Sequence, residues 1–134
     1  MDALVQFVRD RLDEEAEAAR KAGGDAWRFD AVDSAGGVVF DSRDRPIMES
    51  ASDPGRSHGH DRTAADHHQA AHAVRHNPAR VLAEVEAKRR ILDGIAGADA
   101  EGAYITATFT AMDVLRLLAL PYAGHPGYRE EWRP

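Results

Sequence analysis

The sequence predicts a small α+β domain. Three observations carry that reading: an apolar stripe at helical spacing over residues 4–19, three short β-like runs bounded by turn formers, and a second helical pattern that starts at a proline. The stripe is Leu4, Val5, Val8, Leu12, Ala16 and Ala19, with Asp10, Asp13, Glu14, Glu17 and Lys21 largely off it. Asp2 is placed to cap this helix, Glu17 and Lys21 form an i,i+4 pair, and Gly23-Gly24 ends it.

Trp27 to Val32, Val38 to Asp41 and Pro46 to Glu49 read as strands, because Trp27 and Phe29 alternate with Arg28 and Asp30 and the later runs are short and apolar. Ser34, Gly36 and Gly37 supply one turn and Arg43 to Pro46 the next, so an antiparallel meander is expected, with a helix against one face. Tyr104 to Thr110 is a candidate fourth strand. Residues 50–62 are rich in Ser, Gly, Pro, Asp and His and read as a mobile loop. Alanine favours a helix from Thr63 to about Arg75. Asn77-Pro78 breaks it, since the residue before proline leaves the helical region while proline suits the first turn of a new helix capped by Asn77. That helix is expected from Pro78 to about Asp93, with Val81, Leu82, Val85, Leu92 and Ile95 inside and Glu84–Lys88 and Glu86–Arg90 pairs outside. Residues 94–102 read as a linker. Asp113 is placed to cap a short helix, Val114 to Leu120, before a docked aromatic tail. The whole, 1–134, is expected to form a single domain.

Composition narrows the function. The 43% of hydrophobic residues suffices for a core, and with only 7% aromatics the large pieces are mostly Leu, Val and Ile. A net charge of −6 argues against nucleic acid and anionic lipid as partners. The absence of cysteine excludes disulfides and thiolate metal sites. No apolar stretch approaches the ~20 residues of a membrane span, and MDALVQFVRDRLDEE has no basic region of a signal peptide, so a soluble cytoplasmic protein is expected.

The histidines are the least expected feature. Six of the seven lie between His58 and His76. On a continuous helix His68, His72 and His76 share one face, and two imidazoles at i,i+4 can hold one zinc ion. Asp61, Asp66 and His125 could complete a tetrahedral set with zinc or another divalent metal. Against this stand the lack of a glutamate in an H-E-x-x-H arrangement, the break at Asn77-Pro78, and an exposed alanine-rich helix with little to orient the rings. The competing reading is a run of solvated histidines. Gly55-Arg56-Ser57-His58-Gly59 matches the G-x-S-x-G elbow of hydrolases but lacks the flanking strand and helix that the elbow requires. Arg75, Arg80, Lys88, Arg89 and Arg90 are interleaved with Glu84 and Glu86, as on a salt-bridged helix face. In the tail, Tyr122, Tyr128, Arg129 and Trp132 have the composition of a binding hot spot. The bland alternative is that the rings close the core.

HAVRHNPARVLAEVEAKRRIL (72–92) and LRLLALPYAGHPGYREEWRP (115–134) resemble an uncharacterised family of actinobacteria and their phages, domain of unknown function 6221, and FVRDRLDEEAEAAR and Trp27-Arg28-Phe29 resemble its N-terminal part. Members often carry a cysteine shortly before LRLLALPY, where this chain has Thr or Met. The resemblance implies a bacterial source and a cytoplasmic protein, and no activity. It favours His72, His76 and His125, which lie inside the similar blocks, over His68. The function expected is that of a non-catalytic accessory or interaction protein that engages a protein partner or itself, without a cofactor. The alternative is a divalent-metal-binding protein or metal-dependent hydrolase built on the histidines.

Overall fold

The computed structural model describes residues 1–33, 36–51, 65–97 and 110–134. Its elements confirm the α+β class: helix α1 (Asp2–Lys21), strands β1 (Arg28–Asp33), β2 (Gly36–Phe40), β3 (Pro46–Ala51) and β4 (Ala65–Asp66), then helices α2 (His67–Arg75), α3 (Pro78–Gly97) and α4 (Ala111–Ala119). Two 3-10 turns follow, Leu120–Tyr122 and Glu130–Trp132. The contacts divide into two units, Met1–Glu17 with Ala83–Pro134, and Ala18–Leu82.

In the first unit the α1 stripe is buried as its spacing predicts, with Leu4, Val8 and Leu12 joined by Val85, Leu92 and Leu115. Phe7, which the stripe left out, is buried with them. The start of α1 differs from expectation by one residue. The Met1 carbonyl accepts from Leu4 and Val5, so Met1 holds the cap position and Asp2 is the first helical residue. There its negative charge still meets the positive end of the helix dipole. Helix α3 runs on through Gly94 to Gly97, past the expected stop at Asp93, because Ile95 is buried one turn beyond Leu92. That burial outweighs the cost of about 1 kcal/mol for an interior glycine. The cap of α4 is Thr110 and not Asp113. Thr110 Oγ1 accepts from the Asp113 amide at 3.2 Å, and the Asp113 carboxylate accepts from the Thr110 amide at 2.9 Å, a reciprocal capping box. The other residues of the candidate strand 104–110 lie outside the described set.

In the second unit α1 ends as predicted. The Gly24 amide bonds back to Ala19 at 2.9 Å and the Gly23 amide to Arg20 at 3.0 Å, with φ of +110° and +68° at Gly23 and Gly24. Glycine adopts those angles without the steric cost that a Cβ brings. Strands β1, β2 and β3 form the expected antiparallel meander, with Phe29 opposite Val39 and Val39 opposite Met48. Two corrections apply. Ser50 and Ala51, expected in a loop, extend β3, and Ala65-Asp66, expected in a helix, pair parallel to them as β4. Helix α2 therefore starts at His67 and packs on the sheet, with Ala70 fully buried. Residues 52–62, including the G-x-S-x-G match, lie outside the described set.

The turn between β2 and β3 is organised by Asp41. Its carboxylate accepts from the amides of Arg43 and Arg45, each at 2.9 Å, and from Arg45 Nε at 2.7 Å. The Arg45 amide holds this carboxyl below the usual carboxylate range, with the Arg45 side chain and the Arg43 amide adding to it. A group depressed in the folded state adds stability that is complete above its unfolded value of about 3.9 and is lost as pH falls through its folded value. Asp41→Asn should therefore lower the urea midpoint near neutrality, and the gap from the wild type should close below about pH 4. Urea titrations at neutral and acid pH measure this; a gap independent of pH would contradict it.

Candidate functional site

Two groups of side chains contain the residues with chemical potential, one in each unit. In the first unit the tail wraps Phe7. The rings of Tyr122, His125, Tyr128 and Trp132 lie 6.3, 5.7, 6.1 and 5.0 Å from it, mostly edge to face. Trp132 is only 8% exposed. Of the four candidate contact residues, Tyr122 and Tyr128 are half-buried and only Arg129 stands open to solvent. The expected helix after Pro126 is only a 3-10 turn, yet Tyr128 and Trp132 still meet at 5.9 Å.

A polar layer adjoins these rings. The Arg11 side chain is 11% exposed, donates to Glu14 at 2.6 Å, and stacks its cation on Phe7. Its other amino group reaches the His125 ring, whose Nδ1 accepts from the Gly127 amide at 3.0 Å. A metal ion on His125 would therefore face a guanidinium at close range and compete for a nitrogen already bonded. Tyr122 donates its hydroxyl to Glu15 at 2.7 Å, and burial, reinforced by that carboxylate, raises its phenol far above the ordinary value. Arg89 pairs with Asp13 and Arg90 with Glu86, so these cations of the α3 surface are neutralised within the chain as the interleaved charges predict.

Helix α4 presents a different surface. Leu117 and Leu120 are 46% and 39% exposed, one turn apart. Arg116, one turn before Leu120, is half-buried, and its Nε, like Arg11 Nε and the Tyr128 hydroxyl of this unit, is buried with no hydrogen-bond partner. Arg116 also lines a cleft of about 260 Å³ with Leu4, Met112 and Trp132. The amphipathic pattern Leu115, Leu118, Ala119 shows in the sequence, but which leucines stay wet does not.

In the second unit the described histidines differ in role. His67, which the sequence does not single out, fastens α2 to the sheet. Its Nδ1 lies 2.9 Å from Ser50 Oγ, and its ring meets the edge of Phe29 at 5.6 Å. Ser50 also points Oγ at the Gly37 carbonyl, 3.4 Å away. At 6% exposure this serine is buried, and the pair joins α2 to the sheet. No sequence spacing could announce a contact that depends on the register of β3 with β4. His68, His72 and His76 are exposed, and the last two rings approach to 4.5 Å at 38°. Among the described residues no group of three or more His, Asp or Glu side chains is placed to hold one metal ion. His72 and His76 are thus brought together within the second unit, while His125 belongs to the first.

Among the described residues no helix is long and apolar enough to cross a membrane. A family model described as a family of unknown function (DUF6221) matches residues 1–134. No curated protein and no solved structure matches the chain.

Proposed function

The chain belongs to the family of unknown function DUF6221, and from that premise we propose a non-catalytic protein-interaction module, cytoplasmic and of actinobacterial or phage origin. One observation carries the reading: α4 and the turn after it expose Leu117 and Leu120 on the helix face that also bears the half-buried Arg116. Exposed leucines alone are ordinary surface. Leucines beside an arginine suit a partner that offers an apolar side chain and a carboxylate or carbonyl oxygen for the guanidinium, and arginine is enriched in such contacts. The tail adjoins Arg116, since Trp132 lines the same cleft.

The double variant Leu117→Asp, Leu120→Asp should keep its fold, because both side chains already touch water. It should weaken association, with itself or with a cross-linked protein of the host, by at least about 2 kcal/mol, roughly thirtyfold. Sedimentation velocity over a concentration series and cross-linking in lysate read this. Association equal to that of the wild type in both assays would refute the proposed surface.

A further inference from the structure

We propose that His72 and His76 form half of a divalent-metal site that a second copy of this chain completes. The inference rests on α2 alone and is independent of the α4 surface. A proline at position 78 would ordinarily leave the preceding histidine in doubt, because the residue before proline is driven out of the helix. Here that residue is Asn77, and the helical register survives up to His76. The His76 amide bonds to the His72 carbonyl at 3.1 Å and shares its hydrogen with Ala73 at 3.2 Å. Asn77 secures this end, with Nδ2 donating to the Val74 carbonyl at 2.8 Å and Oδ1 accepting from the Arg80 amide at 3.1 Å. The two imidazoles therefore sit at true i,i+4 spacing, exposed, with ring centroids 4.5 Å apart. Two imidazoles so placed can turn within their rotamers to share one ion.

Such a pair supplies two of the four ligands that zinc takes. Among the described residues no carboxylate or third imidazole stands by to supply more. His67 is engaged by Ser50 and Phe29, and His125 by Gly127 and Arg11. The remaining positions are open, and an identical pair on a second chain fills them with the same chemistry and a closed two-fold arrangement. Arg75 is the opposing feature: it is exposed beside the pair, and like charges on two copies resist approach. Salt screens that repulsion, so the dimer should tighten with ionic strength.

The test uses the untagged full chain, stripped of metal by a chelator and titrated with zinc, with calorimetry for stoichiometry and sedimentation velocity for mass. Half a zinc ion per chain and a dimer that chelator reverses are expected. His72→Ala and His76→Ala should each abolish the dimer and weaken zinc binding at least about tenfold, whereas His68→Ala should leave both unchanged. Far-UV circular dichroism confirms that α2 survives each exposed substitution. Zinc bound without dimerisation, a dimer that persists without His72 and His76, or no binding at all would each overturn the proposal.

Discussion

Phe7→Ala should cost about 3–5 kcal/mol of folding stability, the range for removing a buried phenylalanine whose space cannot collapse. Four rings from the tail converge on this one side chain, and among the described residues their other aromatic contact is that of Tyr128 with Trp132. The loss should exceed simple burial, because Arg11 also stacks its cation on the ring and reaches His125. Urea denaturation followed by tryptophan fluorescence measures it. A second signature is specific to the hub: the variant's native-state emission should shift to the red, as Trp132 gains water. An unfolding midpoint near that of the wild type would show that the tail is held by something other than Phe7.

Gly37→Val should be comparably damaging to the second unit, by about 3 kcal/mol, at the upper end of overpacking costs. A Cβ at Gly37 would run into the Phe29 ring and would come within 2.8 Å of the Asp30 carbonyl oxygen. The ring could swing aside, but the backbone carbonyl could not. Displacing Phe29 has a further effect, since that ring supports His67, His67 meets Ser50, and Ser50 points back to the Gly37 carbonyl. The four residues form a closed circuit that seats α2 on the sheet. Amide exchange should therefore accelerate in α2 as well as in β2. Exchange confined to β2, with α2 protected as before, would break the circuit argument.

Much of this architecture is legible in the sequence because it rests on local rules. The α1 stripe, the glycine stop, the meander and the helix restart at Pro78 all follow from spacing, backbone freedom or missing donors. The misplaced ends have identifiable reasons. Thr110 and Asp113 form a T-x-x-D capping box that the sequence displays, and reading Asp113 alone hides its partner. Gly94 looks like a helix stop until the burial of Ile95 is known. Phe7 escapes the pattern because its partners come from more than a hundred residues away. The candidate sites were less legible for the same reason. Which histidine docks, which pair up and which meets an arginine depends on long-range register, and the tail aromatics reveal composition without revealing which way they face.

The Asn77 side chain has one further consequence. A proline between two helical stretches commonly makes a swivel, with one carbonyl left unbonded and the chain free to pivot. In this chain a single carboxamide rivets both sides, taking the last turn of α2 with its nitrogen and the first turn of α3 with its oxygen. The interruption is thereby converted from a joint into a fixed elbow, and a displacement of the histidine-bearing segment carries the opening turn of the next helix along with it.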